Sequence, residues 1–298
     1  MSDAHPTRTH AEQFHEDGYA IIRGLFDPQE MAEIQEAARA IYAEGLTHPS
    51  SYRHKNLYFD VIDDPDGGHV VLQAHWFAWI NETLDRYRRD PKVFGVLQPL
   101  LGDDIKQIAN QIHWKPPGAR LTGFRFHQDL RFRDKNALGG DPFGNSVTLG
   151  LAIDRTTAEN GALQVFPGSH KLGYLGLSDD GGVLMKGTTA EEELRRVGLD
   201  PDSVVTCELE PGDAVMWSLL TVHGSGANRS SYDRAFNINS YVRASASERG
   251  ELTFENGQPV PLGEEPVLCK YEDLYTNPGP FHESGDWYLD NSEEARAG

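Results

Sequence analysis

The chain has 298 residues, 38% of them hydrophobic, and can therefore bury a substantial core. Acidic residues outnumber basic ones by 46 to 27, and the formal charge of −19 repels a phosphate backbone, which argues against nucleic-acid binding. No apolar run approaches the roughly 20 residues that cross a bilayer, and the N-terminus lacks the features of a signal peptide. We therefore expect a cytoplasmic protein with neither a nucleic-acid nor a membrane partner, while its oligomeric state is left open.

The domain organisation follows from the absence of any linker-like segment or internal repeat, which predicts one catalytic domain over residues 1–298. Residues 1–10 and 290–298 are expected to be flexible tails. The long segment 172–202, with a short helix predicted over 190–197, is a candidate lid insertion, because long loops inside compact domains are commonly functional.

The N-terminal part of the chain is predicted to be helical. Asp27, Pro28 and Glu30 form a strong helix start, with a capping carboxylate, a proline at the first helical position and a glutamate three residues after the cap. Apolar residues then recur at helical spacing, which is typical of a helix that covers the core. Two further helices are predicted at 76–88 and 91–101.

The rest of the chain reads as strands separated by glycine-rich turns. The predicted strands are 107–114, 146–154, 162–166, 204–209, 214–220 and 235–242. Many strands after a helical portion indicate a mainly β fold with flanking helices, in which a jelly roll forms the core.

A candidate metal site with a cosubstrate anchor is formed by His127, Asp129, His223 and Arg234. On an extended segment, side chains two residues apart project to the same face, so His127 and Asp129 can bind one ion while Gln128 points away. Two imidazoles and one carboxylate form the facial triad of non-haem Fe(II) oxygenases, which leaves positions open for a cosubstrate and O2. Arg234 follows the second histidine by eleven residues, and a guanidinium can hold a carboxylate through two parallel hydrogen bonds.

The motifs around these residues resemble the phytanoyl-CoA dioxygenase family of Fe(II)/2-oxoglutarate oxygenases. The resemblance covers well over half of the chain, chiefly from about residue 111 to 243. Its motifs are Asn160-Gly161-Ala162-Leu163-Gln164-Val165-Phe166-Pro167-Gly168-Ser169-His170, Glu210-Pro211-Gly212-Asp213-Ala214-Val215-Met216-Trp217 and, more weakly, the run from Phe14 to Phe26.

The resemblance implies a double-stranded β-helix, the cupin-like jelly roll, with Fe(II) bound by His127, Asp129 and His223. It also implies that Arg234 holds 2-oxoglutarate, that O2 is the second cosubstrate, and that a small organic molecule, an anionic one among the candidates, is hydroxylated with release of succinate and CO2. The intact carboxylate Asp129 favours hydroxylation over halogenation. Desaturation, epoxidation and cyclisation stay open, as does the identity of the substrate.

Further pocket residues are assigned by the same pattern. Four candidates for contact with the cosubstrate are Lys115, Thr148, Trp217 and Ser240. Five candidates for contact with the substrate are Gln111, His113, Arg125, Arg131 and Phe132. The basic residues among these either attract an anionic substrate or form ion pairs with nearby carboxylates, and the second interpretation is favoured.

Two other classes of protein fit the same ligand set. One is a jelly-roll protein that binds metal without turnover, and the other is a non-oxidative cupin enzyme that uses zinc or manganese. Arg234 distinguishes them from an oxygenase, since neither needs an anchor for 2-oxoglutarate.

Overall fold

A computed structural model describes residues 8–64, 67–118, 122–132, 138–178, 184, 189–263 and 279–282. The helices are α1 (His10–Asp17), α2 (Pro28–Gly45), α3 (Glu82–Arg88), α4 (Pro91–Leu101) and α5 (Glu191–Arg196). The strands are β1 (Tyr19–Ile22), β2 (Tyr52–His54), β3 (Leu57–Asp64), β4 (Gly68–His75), β5 (Ile105–Lys115), β6 (Phe124–His127), β7 (Ser146–Ala152), β8 (Leu163–Val165), β9 (Val205–Thr206), β10 (Ala214–Trp217), β11 (His223–Ser225), β12 (Arg234–Arg243), β13 (Glu251–Glu255), β14 (Gln258–Pro259) and β15 (Phe281–His282). Among the described helices, none combines the length and the apolar character that a membrane span requires.

The strands form two antiparallel sheets. The larger one has the order β1-β10-β7-β12-β5-β4-β3-β2-β15, with β13 paired to both β5 and β14, and the smaller one has the order β6-β11-β8-β9. Strands β2 to β5 follow one another in both sequence and space, whereas β1–β10, β10–β7, β7–β12 and β12–β5 join segments that are distant in sequence. The predicted mainly β fold with flanking helices is confirmed.

The two faces of the larger sheet pack against different layers. Its outer face carries residues such as Ile112 and Leu149, which pack in one cluster with Phe14, Ile34 and Leu97 of the helices. The inner face turns toward the smaller sheet, and the cluster between the sheets contains Val165, Val215, Trp217 and Phe236 among others. Because side chains alternate along a strand, a single strand can contribute to both layers, as β12 does with Ala235 in the outer cluster and Phe236 in the inner one.

Local sequence explains where the helices begin. The Asp27 side chain accepts hydrogen bonds from the backbone N–H groups of Gln29 and Glu30, which completes the predicted capping box of α2. Helix α4 has the predicted bounds. The single helix predicted over 76–88 is wrong at its start, because Asn81 caps a new helix at Glu82 and the preceding Phe77–Trp79 is a 3-10 turn.

Each predicted strand overlaps an observed one, but the predictions 146–154, 204–209 and 214–220 extend two or three residues beyond the C-terminal ends of β7, β9 and β10. Strands β1 to β4, β6, β11 and β13 to β15 were not predicted. At the end of the predicted N-terminal tail, the Thr9 side chain caps α1 in a capping box with Glu12, and the flexibility of the tail stays a prediction. Residues 1–7 and 290–298 lie outside the described residues.

The described parts of the segment 172–202 lie against β6. Gln128 binds this segment through its amide, which donates to the carbonyl of Gly173 at 2.7 Å and accepts from the N–H of Leu175 at 2.7 Å. Helix α5 forms within the predicted 190–197, and its Leu194 is buried against Phe166 and other apolar side chains. A role of this segment as a lid stays a prediction.

Candidate metal and cosubstrate site

The register of the smaller sheet brings together the three predicted metal ligands. His127 is the last residue of β6 and His223 is the first residue of β11, and the two are directly paired across the strands. Asp129 begins a 3-10 helix, Asp129–Phe132, so the expectation of a fully extended His-x-Asp segment was wrong. The turn still directs the carboxylate to the imidazoles, while Gln128 points away as predicted.

The three side chains converge on one point. The Oδ1 atom of Asp129 lies 3.6 Å from Nε2 of His127 and 3.5 Å from Nε2 of His223. The imidazole centroids are 4.3 Å apart, and one ligand atom from each of the three residues lies within 4.8 Å of the others. In the described part of the chain, this is the one group of histidine, cysteine and carboxylate side chains with such geometry.

Hydrogen bonds to the backbone orient both imidazoles. Nδ1 of His127 lies 2.8 Å from the carbonyl oxygen of Arg125, and Nδ1 of His223 lies 3.0 Å from that of Thr221. A carbonyl can only accept, so both Nδ1 atoms carry the proton and both Nε2 atoms keep a lone pair for a metal ion.

The carboxylate of Asp129 divides its two oxygens between different partners. Oδ1 faces the histidines, whereas Oδ2 accepts a hydrogen bond of 3.1 Å from the indole N–H of Trp217. Burial opposes ionisation, but His223 and His127 together hold the pKa of Asp129 well below its usual range. The group is therefore a carboxylate with one oxygen directed at the metal position.

Arg234 and Lys115 are two basic side chains that lie together at one end of the inner face. They are paired across β12 and β5, and both are buried. Arg234 donates from Nη2 to the carbonyl oxygen of Gly161 at 3.1 Å, and its guanidinium lies 4.8 Å from the centroid of the Phe236 ring. Its buried Nε has no hydrogen-bond partner among the described residues. Such an orphaned donor fits an anionic group that binds here.

Burial lowers the pKa of both basic side chains. Burial lowers the pKa of Arg234 to about 10, which still leaves the guanidinium protonated at neutral pH. Burial, and then the nearby charge of Arg234, lowers the pKa of Lys115 well below its usual value. Nζ of Lys115 donates to Oγ of Ser225 at 2.7 Å and to the carbonyl of Gly226 at 2.5 Å.

Gly161 permits the close approach of the surrounding backbone. Its φ of +78° is a conformation that other residues rarely adopt, and a Cβ atom there would collide with the carbonyl of Gly226. The glycine therefore lets the carbonyl that binds Arg234 lie in this position.

Of the other predicted cosubstrate contacts, Thr148 and Ser240 lie on neighbouring strands with their hydroxyl oxygens 3.1 Å apart. They share the inner face with Trp217, which is paired with Thr148 in the sheet. Trp217 is directed at Asp129, so its position links the sheet to the metal ligands.

The predicted substrate contacts fall into two groups. Gln111 and His113 lie on the inner face of β5 beside Lys115, and burial lowers the pKa of His113 to about 3, with Arg234 and Lys115 contributing. By contrast, Arg125 is 3.5 Å from Glu193 of α5, which agrees with the favoured ion-pair interpretation.

The two remaining predicted contacts lie beyond the HxD turn. The guanidinium of Arg131 lies 5.4 Å from the centroid of the Phe132 ring. That ring is 41% exposed and lies edge-on to the imidazole of His127, 6.0 Å between centroids. Phe132 therefore stands between the metal ligands and solvent.

Sequence reasoning missed the polar side chains that β2, β3 and β4 place on the same inner face. These residues are Arg53, Tyr58, Asp60, Gln73 and His75. The signal that could have found them is the alternation of polar with apolar residues along β3 and β4, as in Gln73-Ala74-His75.

A family model described as phytanoyl-CoA dioxygenase (PhyH) matches residues 14–236, which is most of the chain. The chain belongs to the phytanoyl-CoA dioxygenase family. Two relatives of this family member are an ectoine dioxygenase of Sphingopyxis alaskensis, 24% identical over 87% of this chain and 83% of the relative, and the peroxisomal phytanoyl-CoA dioxygenase of Rattus norvegicus, 27% identical over 72% and 62%.

A solved structure shows the same architecture. EctD from S. alaskensis, with 2-oxoglutarate and 5-hydroxyectoine, matches with a TM-score of 0.63 at 20% identity over 91% of this chain and 89% of that one. The predicted jelly-roll fold is confirmed by this likeness. Family membership identifies this phytanoyl-CoA dioxygenase family protein as an Fe(II)/2-oxoglutarate-dependent dioxygenase, as predicted.

Proposed function

We propose that this dioxygenase hydroxylates a small polar molecule in the space between the two sheets, with His127, Asp129 and His223 as the iron ligands and Arg234 as the anchor of 2-oxoglutarate. The observation that carries this assignment is the pairing of a converged His-Asp-His group with a buried arginine whose Nε has no partner among the described residues.

The donor set fits ferrous iron. Two imidazole nitrogens and one carboxylate oxygen suit a divalent transition metal, and three ligands on one face leave room for a bidentate cosubstrate. The backbone carbonyls of Arg125 and Thr221 fix the tautomer of the two imidazoles, because each accepts a hydrogen bond from an Nδ1–H group. The ligands therefore need little reorganisation when the ion binds.

Each neighbouring residue has a separate task in this assignment. Arg234 holds the distal carboxylate of 2-oxoglutarate and so orients the rest of that molecule, while Lys115 contributes a second donor at the same end. Trp217 holds Oδ2 of Asp129 so that Oδ1 faces the ion. The bound iron, with 2-oxoglutarate and O2, supplies oxidising power that yields succinate, CO2 and a hydroxylated product.

The test is an anaerobic optical titration of the Fe(II) protein with 2-oxoglutarate, in which the iron chelate gives a charge-transfer absorption band. Arg234→Met should weaken 2-oxoglutarate binding at least about 100-fold, because it removes a buried charge-assisted contact worth about 3 kcal/mol. Iron affinity should stay unchanged. Equal affinity of the variant for 2-oxoglutarate would remove the anchor assignment.

A matched control is Arg39→Met, which removes an exposed guanidinium that pairs with Glu36 on α2. It should leave both affinities as in the wild type. The same titration tests the two alternative classes. If the protein were a metal-binding protein without turnover, or a non-oxidative cupin enzyme, no absorption band would form even with iron bound.

A further inference from the structure

Two Gln-x-His motifs lie side by side on the inner face of the larger sheet. Gln73 and His75 are on β4, and Gln111 and His113 are on β5. Because the strands are antiparallel, Gln73 is paired with His113 and His75 with Gln111. The four side chains therefore form a quartet in which each glutamine lies beside a histidine both along and across the strands.

The quartet is continuous with the iron and cosubstrate site. Lys115 follows His113 by two residues on the same face, about 7 Å along the strand, and is paired with Arg234. The ring of Phe124, from β6 of the smaller sheet, packs on His113 with a centroid distance of 5.4 Å. The space above the quartet is thus bounded by the smaller sheet, which also carries the metal ligands His127 and His223.

The hydrogen bonds within the quartet determine which of its atoms donate and which accept. Nε2 of His113 lies 3.1 Å from Oε1 of Gln111, and Nε2 of His75 lies 2.9 Å from Oε1 of Gln73. An amide oxygen only accepts, so each imidazole Nε2 donates its proton. In the Gln111–His113 pair this arrangement presents the amide Nε2 as a donor and the imidazole Nδ1 as an acceptor.

Charged residues of both signs adjoin the quartet. Asp60 of β3 is paired with Gln73, and on the other row Tyr58 is paired with His75. Arg53 is paired with Tyr58, with its guanidinium 4.3 Å from the ring centroid. The surface thus combines neutral amides and imidazoles with adjoining charges of both signs. Its side chains named here on β2 to β5 are polar, whereas a fatty acyl chain requires an apolar lining.

We infer that this quartet is the substrate-recognition surface and that its substrate is a small zwitterion. An oxyanion of the substrate accepts from the Gln111 amide, and an N–H group of the substrate donates to the His113 imidazole. The inference rests on the proposed function, since it places the substrate beside the same iron. It argues against acyl thioesters, whose chain is apolar and whose nucleotide is multiply anionic.

The experiment uses the full chain with Fe(II) and 2-oxoglutarate under anaerobic conditions. Once the charge-transfer band has formed, four probes are titrated: the zwitterions ectoine and 2-aminoethylphosphonate, the simple anion hypophosphite, and phytanoyl-CoA. We expect a saturable change of the band with at least one zwitterion, and weaker or no response to hypophosphite and phytanoyl-CoA. Preference for either of those two, or no response to any probe, would overturn the inference.

Variants then locate the binding surface. Gln111→Leu should lower the affinity for the zwitterion at least about 10-fold, which is the loss expected for a buried hydrogen bond. The affinity for 2-oxoglutarate should not change. Gln164→Leu is the matched control, because Gln164 lies on β8 with its amide 3.4 Å from Thr206 and should change neither affinity. Gln73→Leu repeats the test from the neighbouring strand if Gln111→Leu does not fold.

The two failures can be told apart. Absence of the band in the wild-type protein would count against the proposed function before any probe is added. A normal band with wild-type zwitterion affinity in both Gln111→Leu and Gln73→Leu would count against the recognition surface alone.

Discussion

At the scale of single residues, the site depends on how each polar atom is paired. Asp129 presents one oxygen to the histidines and the other to the indole of Trp217. Loss of a partner of this kind typically lowers metal affinity about 10- to 100-fold, because the partner holds the ligand in one orientation. Trp217 is therefore expected to act on iron through Asp129.

Trp217→Phe should lower the affinity for Fe(II) about 10-fold, because the variant keeps an aromatic ring but cannot donate to Oδ2 of Asp129. The measurement is the dissociation constant for Fe(II), or for Co(II) as a spectroscopic substitute. Tyr241→Phe is the control, since it removes another buried aromatic hydrogen bond, to the carbonyl of Arg88. Equal metal affinity of wild type and Trp217→Phe would show that the indole has no positioning role.

At the scale of secondary-structure elements, a buried ion pair attaches α3 to the sheet. Arg88 is almost fully buried, and its Nε donates to Asp85 at 2.7 Å. Its other nitrogens donate to Thr253 of β13 at 3.0 Å and to the carbonyl of Val260 at 3.1 Å. This network positions the helix over the outer face of the strands whose inner face carries Gln111 and His113.

Asp85→Ala should lower the free energy of unfolding by about 3–5 kcal/mol, because it leaves the buried Arg88 charge without its carboxylate. Chemical denaturation of the metal-free protein measures the loss. Glu36→Ala, which breaks an exposed pair with Arg39, should cost less than about 1 kcal/mol. Similar losses in both variants would mean that burial does not decide the strength of the Asp85–Arg88 pair.

At the scale of the whole molecule, enclosure between the two sheets changes the protonation of the groups inside. Burial, and then the positive charges of Arg234 and Lys115, lowers the pKa of His113 to about 3. In an unfolded chain a histidine titrates near 6.5. Between these values the unfolded state binds a proton that the folded state does not, so stability falls as the pH falls from about 6.5 toward 3.

His113→Asn should remove this proton uptake. The free energy of unfolding of the metal-free variant should depend less steeply on pH between about 6 and 4, by close to one bound proton, than that of the wild type. His10→Asn, at an exposed position of α1, should retain the wild-type slope. Parallel pH profiles for wild type and His113→Asn would show that His113 is not held neutral.

Local sequence determined much of the chemistry of this protein. Capping residues set the start of α2, and the motif spacing predicted a ligand set that the structure brings together in His127, Asp129 and His223. These features could be predicted because each depends on residues that are close in sequence or on a set of motifs that is typical of one family.

Only the tertiary structure decided which distant side chains meet. The pairing of β4 with β5 forms the Gln-His quartet. The indole of Trp217 donates a hydrogen bond to Asp129, and Arg125 forms an ion pair with Glu193 of α5. None of these contacts leaves a local pattern, because strand register and helix docking depend on the packing of the whole core. A shift of one residue in β4 would move Gln73 and His75 to the opposite face.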